Sequence, residues 1–200
     1  MQYTVRTECL PEKQFLVIPG FVVLGDESDT DQTDSIADSI RMLGERILDG
    51  SVARLRQAAG SDTVYTLFCR SCAKLPGRNA WACGYDIACE TAGGAAGGEG
   101  FALVRLAPSA YAVFDCYFNR GSAKARAYAL INDLYWREWL PKNPYISMIE
   151  TDTGANTPGI ASIELSTPLD PQAEEFRIQS WFPVRRKRRL FSRDHSTASR

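Results

Sequence analysis

Apolar residues recur along this chain in two rhythms, one of strands and one of helices. Phe15-Leu16-Val17-Ile18 and Phe21-Val22-Val23-Leu24 are short continuous apolar runs. They read as a strand over residues 15–24, bent or edged at Pro19-Gly20. Residues 25–35 are rich in Asp, Ser and Thr and read as a loop leading to a helix cap. Ile36, Ile40, Leu43 and Ile47 then follow at spacings of four, three and four, which lays them on one helical face. Asp49-Gly50 interrupts, Ser51 can cap again, and residues 52–59 continue as helix to Gly60. Residues 63–69 and 81–89 are β-branched, aromatic and apolar, with a Pro-Gly loop at 75–79 between them. The stretch 62–90 is therefore predicted to be a hairpin.

The run Gly93-Gly94-Ala95-Ala96-Gly97-Gly98 reads as a flexible linker. No Lys-Ser/Thr pair follows it and no helix opens after it, so it is not a phosphate loop. Beyond it the order repeats. Residues 101–106 and 111–117 read as strands about Pro108-Ser109. Gly121-Ser122 offers a cap, and Ala123, Ala127, Ile131 and Leu134 trace a helical face that stops at Trp139-Leu140-Pro141. Residues 142–159 are rich in loop formers, 160–165 and 176–184 read as strands, and 169–172 as a turn. Each half is thus strand, helix, strand, strand, an α+β pattern. No apolar run approaches the length needed to cross a bilayer. The N-terminus lacks a basic-then-apolar signal pattern, so a cytoplasmic protein is expected.

Charge and chemistry narrow the function classes. The chain has 23 Lys/Arg and 24 Asp/Glu. Residues 185–200 hold seven of the basic residues and one acid, which leaves 16 and 23 in residues 1–184, a net of −7. An acidic body repels nucleic acid and anionic membranes and tolerates cationic ligands. The run Arg185-Arg186-Lys187-Arg188-Arg189 could dock on phosphate or an acidic protein partner, or be a solvated, disordered end. The single histidine, His195, lies in that tail, which removes Ser-His-Asp and Cys-His catalysis and His-rich metal sites. No metal or cofactor is expected.

Several segments together resemble the GyrI-like small-molecule-binding domain. This is the effector-binding domain of bacterial multidrug-responsive transcription activators and of stand-alone gyrase-inhibitor-like proteins. The segments are Leu106-Ala107-Pro108-Ser109-Ala110-Tyr111-Ala112-Val113-Phe114, the helix end Trp139-Leu140-Pro141, Ile163-Glu164-Leu165, and Arg177-Ile178-Gln179-Ser180-Trp181-Phe182-Pro183-Val184. The resemblance spans about residues 13–184 and is carried mostly by the second half. Gln179 stands where the family often has an acid. The 142–159 loop is long, and no helix-turn-helix DNA reader fits in the dozen residues before the first predicted strand.

The resemblance implies one domain over 1–184, built from two βαββ, SHS2-like repeats at about 13–92 and 101–184. They would be related by pseudo-two-fold symmetry in an antiparallel sheet, with helices on one side and a ligand cleft between them. It implies that an amphipathic, cationic aromatic molecule binds there to Glu164. Aromatic candidates for the same cleft are Trp139, Tyr85, Tyr111, Tyr145, Phe176 and Trp181. By alternation Glu164 faces away from Ile163 and Leu165, so a plain surface strand residue is the competing reading. Core packing is the competing reading for the aromatics. Two further functions fit the same scaffold. One is hydrolysis of reactive cyclopropane-type DNA-alkylating compounds with Glu164 as general base and Trp139 or Tyr85 in support. The other is gyrase-inhibitor-like protein binding through the basic tail.

The six cysteines are Cys9, Cys69, Cys72, Cys83, Cys89 and Cys116. In the predicted hairpin Cys72 faces Cys83, while Cys89 lies about 20 Å farther along the strand at roughly 3.3 Å per residue. That geometry opposes a four-cysteine zinc site. The cysteines read as reduced thiols, with a Cys72–Cys83 bridge as the alternative under oxidation.

Overall fold

A computed structural model describes residues 1–24, 29–77, 80–91, 100–119, 122–149 and 159–187, and within these all side chains except those of 24–35, 69–72 and 81. The glycine-rich linker and most of the basic tail lie outside the described residues. In chain order the elements are β1 (Gln2–Leu10), β2 (Lys13–Ile18), β3 (Phe21–Leu24), α1 (Asp29–Leu48), α2 (Ser51–Ala59), β4 (Tyr65–Lys74), β5 (Trp81–Glu90), β6 (Ala102–Leu106), β7 (Ser109–Phe118), α3 (Lys124–Asp133), β8 (Tyr145–Ser147), β9 (Ser162–Thr167) and β10 (Phe176–Arg186). Helix α3 runs on through a π-helical segment, Leu134–Trp139, and a last turn, Leu140–Lys142. Pro141 has no N–H to donate, and the widened turn precedes it.

The strands form one antiparallel sheet in the order β1-β7-β10-β9-β4-β5-β2-β6, with β3 on β5 and β8 on β10. Outward from the β4/β9 seam the order is β4-β5-β2 on one side and β9-β10-β7 on the other. Both sides therefore place their strands in the same sequence. The sheet is not flat. Strands β6 and β7 sit six positions apart in it, which would be about 29 Å if flat. Yet only Ala107 and Pro108 connect them, and three Cα steps reach at most about 11 Å. The sheet must curl until its ends approach, and it has an inner and an outer face.

Strand parity decides what each face buries. The outer face carries Leu16, Ile18, Ile87 and Cys89 under Leu43, Val52 and Leu55 of α1 and α2. It also carries Ala112, Phe114, Cys116, Ile178 and Phe182 under Ala127, Ile131 and Tyr135. The inner face carries Phe15, Val17, Leu67, Val104, Leu106, Tyr111, Val113 and Ile163 in one cluster. Burying each of these large side chains stabilises by about 1.5–3 kcal/mol.

Four expectations change. Residues 2–10 form strand β1, paired along its length with β7. The expected 15–24 strand is two strands, broken at Pro19-Gly20 because β2 and β3 pair with different stretches of β5. Helix α1 begins by Asp29, not after 35. The expected 142–159 loop contains β8, held on β10. Cys72 does stand opposite Cys83, beyond a bulge between Phe68 and Cys72. Cys83 is disulfide-bonded, whereas Cys9, Cys89 and Cys116 are free. None of the described helices is long and apolar enough to cross a membrane.

Candidate functional site

Glu164 sits on β9, the strand of the second half that meets β4 at the seam, and its side chain points to the outer, helix-covered face. Its register partners are Thr66 on β4 and Ser180 on β10, so three polar side chains stand in one row across that face. Thr66 Oγ1 donates to Glu164 Oε2 at 3.1 Å. Glu164 is half-buried, and burial pushes its carboxyl up to about 7, with the Thr66 hydrogen bond pulling the other way.

Two tyrosines close round it. Tyr85 on β5 is 6% exposed, and its phenol is pushed well up by burial and then by the Glu164 charge, against a hydrogen bond with Thr66. Tyr128 on α3 is pushed up in the same way by burial, Glu164 and Tyr85, against a hydrogen bond with Ser166. Both phenols therefore stay neutral and offer aromatic surface with a polar tip. The position of Tyr85 is locked by Gly20. Tyr85 N donates to Gly20 O at 3.0 Å, and a Cβ on Gly20 would lie 2.6 Å from Tyr85 O. Tyr85 also packs edge-on against Phe68 at 6.3 Å and shares a cluster with Val22, Cys83 and Ile149. The wall is thus built from the β3–β5 side, α3 and Ile149 just after β8.

The other aromatic candidates are placed elsewhere. Trp139 and Tyr145 stack on each other at 5.6 Å in the core beneath the π-helical segment, and Trp139 also meets Phe114 at 6.2 Å. Phe176 is 4% exposed, stacked on Phe118 at 5.2 Å, with the Lys124 ammonium 5.3 Å from its centroid. Lys124 donates to Ser166 Oγ and Pro168 O, each at 3.0 Å, which pins the turn after β9. Tyr111 and Trp181 lie on the inner face, opposite to Glu164, because they differ from the outer-facing residues of β7 and β10 by one position. Trp181 Nε1 donates there to Glu8 Oε1 at 2.6 Å.

The structure thus brings Glu164 and Tyr85 together and adds Thr66, Tyr128 and Ser180. Sequence reading omitted those three. Thr66 and Ser180 alternate in phase with outer-facing neighbours, but which strand lies beside which is not written in that alternation. Among the described residues no group of three His, Cys, Asp or Glu is placed to hold a metal ion.

No protein-family model matches the chain, and no curated protein sequence matches it. Solved structures do. The structure of SAV2435 bound to tetraphenylphosphonium matches with a TM-score of 0.54 and 17% identity, covering 92% of this chain and 94% of that one. The crystal structure of a Staphylococcus aureus MU50 protein assigned to bacterial transcription regulation matches with a TM-score of 0.53 and 17% identity, over 92% of this chain and 99% of that one. The α+β antiparallel fold is that of GyrI-like effector-binding domains, as the resemblance implied.

Proposed function

We propose that this protein binds small amphipathic aromatic cations, with Glu164 neutralising the charge and Tyr85 and Tyr128 supplying aromatic surface. The observation that carries this reading is a half-buried carboxylate whose described hydrogen-bond partner is a neutral hydroxyl, Thr66, and not a Lys or Arg. An ionised carboxylate in that position is costly without a counter-charge. A delocalised cation relieves the cost, and each aromatic face adds about 0.5–2 kcal/mol. The tetraphenylphosphonium held by SAV2435, a protein of the same fold, is such a cation. Binding of this kind serves sensing or sequestration of a compound. A carboxyl that titrates near neutrality also suits a general base. Release of a ring-opened product from a cyclopropane compound would move the reading from binding to hydrolysis.

The test is a calorimetric titration of tetraphenylphosphonium and of neutral triphenylphosphine oxide into the wild-type protein and Glu164→Gln. The expected result is saturable binding of the cation, weakened at least about tenfold by the substitution, and little response to the neutral compound in either protein. Equal binding of the cation by both proteins would remove Glu164 from the mechanism.

A further inference from the structure

We propose that the Glu164 site prefers cations that carry N–H groups over fully substituted onium ions, and that Ser180 sets this preference. The inference rests on the ligand reading above and names the chemistry of its head group.

Thr66, Glu164 and Ser180 are directly opposed across β4, β9 and β10. Opposed residues hold their Cβ atoms about 4.5–5.5 Å apart, so a hydroxyl flanks the carboxylate on each side. The two hydroxyls are in different states. Thr66 Oγ1 is committed as a donor to Glu164 Oε2. Ser180 is 1% exposed, and its Oγ has no hydrogen-bond partner among the described residues. Apart from Glu164, its neighbours on that face are apolar: Ile178 and Phe182 along β10, and Phe114 beside it on β7. Alanine would fill the same space without stranding a hydroxyl, so Ser180 is an unexplained polar group in a packed layer.

A seated ligand explains it. Ser180 stands opposite Glu164 on the flank away from Thr66, and its Oγ makes no hydrogen bond to the carboxylate, so the two residues offer separate acceptors on that flank. An ammonium head offers up to three donors and accepts nothing. It can bond both acceptors at once, which a quaternary onium cannot. A carboxylate alone would favour the onium, because that ion is more weakly hydrated and gives up less on entering the site. The added hydroxyl reverses this order, since hydrogen bonds to charged groups are the stronger class. Glu164 keeps a partly accessible side, and Ser180 lies deeper on the same row, where a head group arrives stripped of water.

The test uses one skeleton with two heads: 2,2-diphenylethylammonium and its N,N,N-trimethyl derivative, titrated into the wild-type protein, Ser180→Ala and Glu164→Gln. The primary ammonium is expected to bind the wild type about tenfold tighter than the trimethyl compound. Ser180→Ala should erase that gap by weakening the primary ammonium alone, and Glu164→Gln should weaken both. Equal or tighter binding of the trimethyl compound by the wild type overturns the proposal while leaving the cation reading intact. Equal weakening of both compounds by Ser180→Ala also overturns it, because the hydroxyl would then act on packing and not on donors. Absence of binding by either compound, and by tetraphenylphosphonium, overturns both readings together.

Discussion

Glu164 works against the fold that holds it. Its carboxyl has an ordinary value of 4.5 and is pushed up to about 7 by burial. Below pH 4.5 it is protonated folded and unfolded, and it contributes nothing. Between 4.5 and 7 the unfolded chain releases the proton while the folded chain keeps it, so stability falls as pH rises. Above about 7 the cost is complete, on the order of 3 kcal/mol. Glu164→Gln removes it. The variant is therefore expected to melt several degrees above the wild type at pH 8 and level with it near pH 4.5, since 1 kcal/mol moves a domain of this size by about 2–4 °C. The same residue gives the opposite slope for a ligand. Cation affinity should climb as pH rises to about 7 and then level off, because only the ionised form attracts the cation. Thermal melts and titrations from pH 5 to 8 check both slopes. A wild type that gains stability across that window would mean that Glu164 is ionised and paired in the free protein. Stability given up at a single residue in exchange for binding is a common trade.

Among the elements, the β4–β5 hairpin carries Thr66 and Tyr85 of the site. Thr66, Phe68 and Tyr85 lie on one side of its bulge, and the Cys72/Cys83 rung lies on the other. Cys83 is 1% exposed and disulfide-bonded, two residues from Tyr85 and in its cluster. Thiol titration of the unreduced, denatured protein is expected to find four of the six cysteines free. Reduction should lower the melting temperature and weaken cation binding, because the strand segment beyond the bulge loses its covalent tie; typical disulfides contribute about 2–4 kcal/mol. Six free thiols would remove the tie and this effect with it. The hairpin and its Cys72/Cys83 register were legible in the sequence because apolar runs and a Pro-Gly turn fix a hairpin locally. Strand β1 was not. Gln2, Tyr3, Thr4, Arg6 and Thr7 leave it mostly exposed at the sheet edge, so it has no apolar face to announce it, and it is held by the open edge of β7. Glu164 was legible through the family resemblance, since its alternation with Ile163 and Leu165 alone gives a surface strand residue. Its row partners were not, because cross-strand neighbours come from register and strand order. The same gap explains Tyr111 and Trp181: their residue types suited a cleft, but one-residue parity put them on the inner face.

At the scale of the whole molecule, curl and charge set what a ligand meets. The short β6–β7 link forces the sheet to close on its inner cluster and leaves the outer face, with Glu164 at its centre, beneath the helices. Charge is divided as strongly as the faces are. Arg185 and Arg186 belong to β10, and Lys187 N still donates to Pro144 O at 2.9 Å, so the strand is anchored to that point. Removing residues 188–200 takes away four arginines and one aspartate and moves the net charge from −1 to −4. The anchored strand and the Glu164 row stay whole. Tetraphenylphosphonium affinity is therefore expected to hold within about twofold, with any gain fading at high salt, because surface charges act over about 8–10 Å at ordinary ionic strength. Retention on a heparin column, which reads affinity for polyanions, should fall with the lost arginines, each phosphate-like contact having its own salt dependence. If truncation abolishes cation binding, the basic segment contributes to the site itself. If it leaves heparin retention unchanged, the phosphate-docking role of the tail loses its support, and Arg185 and Arg186 become ordinary strand-end residues.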